Sequence, residues 1–403
     1  MQYHRNRLTQ FVALGAALVA SAPALSAQPV SGETRQTARR VIDGAIAYLR
    51  AQQDDRTGGW SGDGSGPDLP AISSLVLTGM LLDPRIDHTD PGAARGIEHV
   101  LSYRRVDGGI HDGMLPTYNT AISVSMLSLV PTGEAGAAME GAIGLLRRTQ
   151  WGASDGTNPE APAFNEPIDE DHPFYGGVGY GGNGRPDLSN TQFFVQALHD
   201  AGLSSEDPAY ERALTFLART QMDERVNDRD YADGSRQGGF IYATVPNTES
   251  IDDFQGQSQA GEFVETLSDG TRASRLRAYG SITYAGFKSL IYADLPPDDI
   301  RVRAALDWIT GNYTLEENPG LGDDGYYYYA LSFARALDAW GDPTLELESG
   351  ESVDWRADLI ERLAALQEDD GSFRVRSGRW MEGNGVLITA YALIALQHAV
   401  DPS

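Results

Sequence analysis

The sequence predicts an all-α protein whose helices form six pairs that close into a ring, a closed (α/α)6 toroid with a small β-hairpin insertion. Three observations lead to this prediction. A short phrase recurs along the chain. Each copy of the phrase closes an amphipathic helix that is followed by a more apolar helix. Alternating strand patterns are absent apart from residues 262–272, where Asp269-Gly270 is a turn signal.

In most copies the recurring phrase has an aromatic residue or leucine, then leucine, three further residues and glutamine, followed by glycine with an aromatic residue. Its four clear copies are Tyr48–Gln53, Leu145–Gln150, Phe216–Gln221 and Arg362–Gln367. The glycine segments assigned to them are Gly58-Gly59-Trp60, Asp155-Gly156, Gly238-Gly239-Phe240 and Gly371-Ser372-Phe373. Two weaker copies begin at Val100 and Trp308. Six copies predict six helix pairs.

The two helices of each pair differ in their apolar surface. The first helices are predicted at 35–53, 92–104, 134–150, 208–221, 299–312 and 355–367. The second helices are predicted at 70–82, 118–130, 188–201, 280–294, 325–340 and 385–399. Residues 386–396 are apolar nearly all round, which indicates an inner helix, whereas residues 355–363 carry charge on one face, which indicates an outer helix.

The repeated phrase resembles the QW motifs of squalene–hopene cyclases and, more broadly, the terpenoid cyclase and protein prenyltransferase toroid superfamily. The resemblance covers residues 34–400 and implies a toroid with a central cavity and an activity on isoprenoid-like substrates. The acid motif of those cyclases, Asp-x-Asp-Asp, is absent, and Asp169-Glu170-Asp171 and Asp252-Asp253 match it only in part. The prenyltransferase zinc site needs a cysteine, which this chain lacks. Whether the protein is an enzyme therefore stays open.

The composition excludes several classes of function. The chain has 57 acidic and 31 basic residues, a formal net charge of −26, which argues against nucleic acid or an anionic membrane as partner. It contains no cysteine, so disulfides, thiolate metal sites and a cysteine nucleophile are excluded. With seven histidines and no dinucleotide or metal motif, the sequence predicts no bound metal and no cofactor. We expect a monomer.

Residues 1–27 have the layout of a secretory signal peptide. Basic residues come first, the apolar stretch Phe11–Ala22 follows, and small residues lead to Ala27. No later segment is apolar over the roughly 18 residues that a membrane span needs. The sequence therefore predicts an exported protein, periplasmic or secreted from a bacterial cell, without stable membrane insertion. Residues 28–403 are predicted to form a single toroid domain.

The functional face is expected where the inner helices begin. The two longest connections, 152–186 and 222–278, both lead from an outer to an inner helix. The cavity candidates there are Tyr118, Asn119, Asn190, Gln192, Tyr284, Lys288, Tyr326 and Asn384. Lys288, the only lysine, is either an activated base or phosphate contact, or a side chain that snorkels to the surface. Arg185, Arg275 and Arg277 are candidate anion-binding residues; surface pairing with nearby acids is the alternative.

Three classes of function stay open, each with a small molecule or an oligosaccharide in the central cavity. The first is a cyclase or transferase for isoprenoid-like or other hydrophobic substrates. The second is a carbohydrate-active toroid, a polysaccharide lyase or hydrolase, and the third is a non-catalytic binding protein of the bacterial envelope. An aromatic, dry cavity favours the first class, and a long groove with arginine and tyrosine favours the second. A plugged centre favours the third.

Overall fold

A computed structural model of the chain describes residues 30–61, 69–153, 165–181, 184–246 and 255–400. Within these ranges the chain forms twelve α-helices and three two-stranded antiparallel sheets. The predicted signal peptide lies outside them, as do Asp155-Gly156 and Asp252-Asp253. None of the helices in these ranges combines the length and the apolarity that crossing a membrane requires.

The twelve helices alternate between partly exposed and buried. The odd-numbered helices are α1 (Gly32–Ala51), α3 (Pro91–Leu101), α5 (Gly133–Thr149), α7 (Pro208–Thr220), α9 (Ile300–Gly311) and α11 (Trp355–Leu366). The even-numbered helices are α2 (Pro70–Leu81), α4 (Pro116–Leu127), α6 (Leu188–Asp200), α8 (Gly280–Tyr292), α10 (Tyr326–Trp340) and α12 (Gly385–Ala399). Every boundary lies within three residues of its predicted position.

The even-numbered helices form the interior. Nearly every residue of α12 from Val386 to Leu396 is buried, whereas α1 buries only one face. The even-numbered helices contact one another in chain order, and α12 contacts α2. The odd-numbered helices pack on the outside of them, and α11 contacts α1. The protein is therefore an α/α toroid with its apolar helices at the centre.

The repeated glutamine links neighbouring outer helices. Gln150 Nε2 donates to the carbonyl oxygen of Gly176 at 3.0 Å and to that of Ala209, in α7, at 2.9 Å. The other three glutamines make the same pair of bonds, Gln53 to Gly58 and Gly92, Gln221 to Gly238 and Arg301, and Gln367 to Gly371 and Val41. Each glutamine thus ties the turn after its own outer helix to the next outer helix, which is why the phrase repeats.

The glycine of the phrase allows that turn to approach the next helix. Gly176 and Gly238 have φ of +80° and +79°, and a Cβ on either would overlap backbone of α7 or α9. The glycine that serves Gln150 is Gly176 and not, as the sequence suggested, Gly156. The α5–α6 connection is inserted between the glutamine and its glycine, so proximity in sequence selected the wrong residue.

The sheets lie in the connections. β1 (Gln221–Asp223) pairs with β2 (Arg236–Phe240), and β3 (Glu262–Thr266) pairs with β4 (Arg272–Leu276) as the predicted hairpin. A further hairpin of β5 (Thr344–Glu346) and β6 (Ser352–Asp354) joins α10 to α11. The sequence did not predict it, because three-residue strands are too short to show alternation.

Candidate functional site

A cavity of about 360 Å³ opens where the inner helices begin. All six inner helices contribute to its wall from their first two turns, through Ile72, Tyr118, Ser189, Phe193, Ser281, Ile282, Tyr328, Leu387 and Tyr391. Five of these residues stand at the third position of their helices and two more at the second position, so the pairs place equivalent positions around one centre. The cavity is therefore a product of the repeat architecture and not of one local motif.

The connections complete the wall. Tyr180 comes from the α5–α6 connection, and Tyr242 and Gln259 come from the α7–α8 connection. These are the two long connections that the sequence singled out. A third connection, between α11 and α12, supplies the consecutive residues Trp380, Met381 and Glu382. Insertions and inner helices thus meet at the same end of the molecule.

The wall is mainly aromatic. Eight of its residues carry rings, namely Tyr118, Tyr180, Phe193, Tyr242, Tyr279, Tyr328, Trp380 and Tyr391. Neighbouring rings touch: Phe193 lies 5.6 Å from Tyr118 and 6.1 Å from Tyr328, centroid to centroid. Aliphatic side chains from the helix starts fill much of the rest. Such a wall buries apolar groups and presents electron-rich ring faces to a positive charge.

Glu382 is the one charged side chain among the described residues that line the cavity. Its Oε1 accepts from the Tyr328 backbone N–H at 2.8 Å, and its Oε2 accepts from that of Tyr327 at 3.3 Å. It thereby caps α10, whose own N-cap residue, Gly325, has no side chain. The residue is 1% exposed, and this burial raises the pKa of the Glu382 carboxyl to about 7.

A second buried acid, Asp187, stands outside the lining. It is the N-cap of α6 and accepts from the backbone N–H and the side-chain Nδ2 of Asn190, at 2.9 and 2.8 Å. Burial raises the pKa of Asp187 to about 6. Burial also raises the pKa of the nearby Tyr180 hydroxyl, to about 12, and the charge of Asp187 adds to that effect. Asp187 therefore lies close to a tyrosine of the cavity wall without lining the cavity itself.

Positive side chains are absent from the described part of the cavity wall. Arg185 donates to the Val245 carbonyl oxygen at 2.7 Å, Arg275 donates to that of Asp233 at 2.9 Å, and the Arg277 guanidinium lies 5.1 Å from the Phe263 ring centre. An anion-binding role for these three arginines stays a prediction. By sequence, the undescribed segments 62–68, 154–164, 182–183 and 247–254 contain no lysine or arginine.

The protein's own side chains cap five of the six inner helices. Besides Asp187 on α6 and Glu382 on α10, three asparagines do so through their Oδ1 atoms. Asn119 accepts from the Ala71 N–H of α2, Asn318 from the Ser281 N–H of α8, and Asn384 from the Val386 N–H of α12. The helix starts are therefore already supplied with acceptors, which reduces their pull on an external anion.

Of the three tyrosines that the sequence predicted for the cavity, one lines its wall and two lie in the protein core. Tyr118 lines the cavity. Tyr284 is fully buried against Tyr329 and Phe333, with ring centres 5.6 and 5.0 Å apart, and the Tyr326 hydroxyl donates to the Leu315 carbonyl oxygen at 2.7 Å. Both tyrosines belong to the core behind the wall.

Lys288 is buried beneath the cavity and does not snorkel to the surface. It is 1% exposed and donates to Gln192 Oε1 at 2.6 Å and to Gln196 Oε1. Arg335 Nη1 donates to the same Gln196 oxygen at 3.0 Å. Burial, with the charge of Arg335 adding to it, lowers the pKa of Lys288 well below its usual value.

Comparisons with known proteins bear on the fold. No protein-family model matches the sequence, and a search of curated proteins finds no match. Among solved structures, a variant of the type II terpene cyclase MstE from Scytonema, in complex with its substrate geranylgeranyl dihydroxybenzoate, is similar. It is 13% identical, with a TM-score of 0.51 over 91% of this chain and 98% of that one.

Two carbohydrate-active proteins are similar to the same extent. An α-amylase from Clostridium perfringens is 11% identical, with a TM-score of 0.53. A glycoside hydrolase family 76 mannosidase from Bacteroides thetaiotaomicron is 10% identical, with a TM-score of 0.51. Each alignment covers 91% of this chain and 98% of the other. At such identities the likeness shows the fold alone: the chain has the α/α-toroid fold found in a terpene cyclase and in carbohydrate-active enzymes.

Proposed function

We propose that the protein is an exported toroid enzyme that takes an isoprenoid-like or other hydrophobic substrate into its central cavity and cyclises it by protonation, with Glu382 as the acid. One observation carries this proposal: an aromatic cavity whose described wall has a single carboxyl and no basic side chain, and this buried carboxyl has a pKa of about 7. Of the open classes of function, the hydrophobic-substrate class is the one that an aromatic cavity favours.

The wall selects a neutral, apolar substrate. Apolar surface buried on binding contributes about 25 cal/mol per Å². A diphosphate would meet no cationic side chain on the described wall and would face the Glu382 carboxyl, with a second acid, Asp187, near the wall tyrosine Tyr180. Burying the charge of a diphosphate without a cationic partner is costly, so we expect a hydrocarbon skeleton without an anionic group.

Glu382 can supply the proton for a cyclisation. Its pKa of about 7 leaves a large part of the carboxyl protonated at neutral pH. Transfer of that proton to a carbon–carbon double bond forms a C–H bond and a carbocation, which the surrounding ring faces stabilise. The carboxylate that remains is stabilised by the hydrogen bonds that it accepts from the backbone N–H groups of Tyr327 and Tyr328. After ring closure, loss of a proton from the cation forms the product double bond and restores the acid.

The finer features of the fold belong to the same proposal. The contacts of α12 with α2 and of α11 with α1 support a closed ring of six inner and six outer helices. A single domain from residue 28 to residue 403 accounts for the contacts that join the first and last pairs. The signal-peptide pattern in residues 1–27 supports export, and we propose a monomer that closes its ring without a partner.

A carbohydrate-active function is the second candidate. Two buried acids with raised pKa values, Asp187 and Glu382, favour it, because glycosidases use a pair of carboxyls. Asp187, however, caps α6 and is not among the described residues that line the cavity. Only one carboxyl of the two reaches a substrate, which suits protonation better than two-carboxyl hydrolysis.

The test is product analysis with a matched pair of variants. Purified protein is incubated separately with squalene, geranylgeraniol, mannan and starch, and products are identified by mass spectrometry. We expect a cyclised isomer of an isoprenoid substrate, and a loss of about 100-fold or more in Glu382→Gln. Glu265→Gln is the control, because Glu265 is also a buried carboxylate that accepts a backbone N–H, from Arg236, away from the cavity.

Three outcomes contradict the proposal. Sugar release from mannan or starch supports the carbohydrate-active class instead. Full activity in Glu382→Gln shows that Glu382 is not the acid. Absence of product from every substrate, with ligand binding retained, supports a binding protein of the envelope.

A further inference from the structure

The hydroxyl of Tyr328 is held in one orientation on the cavity wall. Its oxygen accepts from Ser189 Oγ at 3.1 Å and from Gln192 Nε2 at 3.2 Å, both on α6. A phenol has one hydrogen to donate and an oxygen that accepts. With the oxygen occupied by two donors, the hydrogen is left to donate, and no acceptor bonded to it is found among the described residues. Since Tyr328 lines the cavity, that hydrogen is available to a bound molecule.

Lys288 decides which end of the Gln192 amide faces Tyr328. The Lys288 amine donates to Gln192 Oε1 at 2.6 Å, so the amide NH₂ group must lie on the opposite side, toward the phenol. An ammonium has three hydrogens and a neutral amine has two. Either form can donate to both glutamine oxygens that Lys288 contacts, so the direction does not depend on its protonation state.

The hydrogen bonds from Lys288 through Gln192 to Tyr328 continue on the other side of Lys288 to Gln196 and Arg335. A guanidinium only donates, so the Gln196 oxygen that Arg335 binds at 3.0 Å is an acceptor, and Lys288 donates to that same oxygen. Lys288, Arg335 and the two glutamines are each at least 95% buried. Two basic groups buried side by side, with the charge of Asp200 acting on both, oppose folding more than apolar side chains of the same size would. Their arrangement does impose one direction of donation, ending at Tyr328.

We infer that the substrate carries an acceptor oxygen, as a hydroxyl, ether or carbonyl group, on its apolar skeleton, and that Tyr328 donates to it. Lys288 and Gln192 are positioning residues, which set the direction of the Tyr328 hydroxyl without touching the substrate. This inference rests on the proposed function, because it needs an apolar molecule in the cavity. It narrows the substrate class from hydrocarbons in general to oxygen-bearing ones.

The test compares two probes with similar branched skeletons, farnesol and the hydrocarbon farnesene. We expect the wild-type protein to bind farnesol about tenfold more tightly, since a net hydrogen bond contributes roughly this factor. Tyr328→Phe, which removes one oxygen atom, should reduce the preference to within about twofold by weakening farnesol binding alone. Lys288→Met should also reduce the preference although Tyr328 is intact. Tyr284→Phe, which removes a buried phenol of the core behind the wall, is the control and should keep it.

The outcomes separate this inference from the proposed function. Equal affinity of the wild-type protein for the two probes overturns the inference and leaves an apolar-ligand cavity in place. An unchanged preference in Tyr328→Phe also overturns it, as does an equal loss in Tyr284→Phe. Failure of both probes to bind overturns the proposed function and the inference with it. If Lys288→Met does not fold, Tyr328→Phe decides the question.

Discussion

The fold raises the pKa of Glu382 to about 7, which lets this carboxyl act as an acid near neutral pH. Burial opposes its charge, while the N–H groups at the start of α10 favour the charge, and burial prevails. The carboxyl therefore retains its proton close to neutral pH. The ordinary pKa of a glutamate carboxyl is 4.5, about 2.5 lower, so an unburied glutamate holds almost no proton to donate at pH 7.

This shift predicts how stability depends on pH. Folding raises the pKa of Glu382 from 4.5 to about 7, so its stabilising contribution is complete below about pH 4.5 and is lost as the pH rises through 7. Because Glu382→Gln does not titrate, the stability advantage of the wild-type protein over this variant should shrink by about 2 kcal/mol between pH 5 and pH 8. Urea unfolding at four pH values measures it. An advantage that stays constant across this range contradicts the raised pKa.

The sequence pointed to some site residues and could not point to others. Tyr118 was visible because it stands at the start of an inner helix, and Lys288 because it is the only lysine. Glu382, Tyr242 and Trp380 lie in connections, where no periodicity indicates which way a side chain faces. Only the folded ring brings them to the same cavity.

Among the elements, the repeated phrase accounts for how the pairs join. Its glutamine bridges two outer helices, and its glycine lets the turn approach the backbone of the next helix. These contacts lie on the outer layer, away from the cavity wall. The phrase therefore predicts the fold closely and says little about the chemistry, which is carried by residues outside it.

Gly238 allows a direct test of that role. It has a φ of +79°, and a Cβ there would overlap the Ala304 carbonyl oxygen of α9. Gly270→Ala is the matched control, because Gly270 has a φ of +82° with nothing within 4 Å of the added atom. We expect Gly238→Ala to destabilise the protein by at least about 1 kcal/mol more than Gly270→Ala, which carries only the left-handed strain of about 1–2 kcal/mol. Equal losses in urea unfolding contradict the close approach.

Helix boundaries were predictable because an amphipathic period of 3.6 residues extends over each outer helix. The glycine whose carbonyl oxygen binds Gln150, Gly176, could not be predicted, since 25 residues separate it from the glutamine. The bond is made in space, across the α5–α6 connection, whereas Asp155-Gly156 offers a glycine much nearer in sequence. Sequence spacing identifies such a turn only where nothing is inserted.

For the whole molecule, the last repeat contacts the first. Gln367 Nε2 of the α11 pair donates to the Val41 carbonyl oxygen of α1 at 2.8 Å, and α12 contacts α2. The same kind of contact thus joins the chain's two ends as joins neighbouring pairs. A cavity whose wall takes residues from the starts of all six inner helices fits this arrangement.

An engineered disulfide tests ring closure. The chain has no cysteine, and a Cβ at Gly79 of α2 lies 3.3 Å from the Leu393 Cβ of α12, close to the spacing of disulfides. The double variant Gly79→Cys with Leu393→Cys should oxidise to an intramolecular bond and migrate faster on a non-reducing gel. Pairing Gly79→Cys with Ile300→Cys, on the exposed start of α9, should not. Two free thiols in the first variant, folded and under oxidising conditions, contradict closure.

The most direct test of the central claim is to identify what the cavity retains. Tag-purified protein is exposed to a total extract of bacterial culture, washed, and its bound molecules are analysed by mass spectrometry. The wild-type protein should retain a neutral, apolar molecule bearing oxygen. Ile282→Trp, which narrows the cavity, should lose it, and Ile300→Trp, the same change at an exposed isoleucine, should not. Retention of an oligosaccharide or a diphosphate, or undiminished retention by Ile282→Trp, would contradict the account.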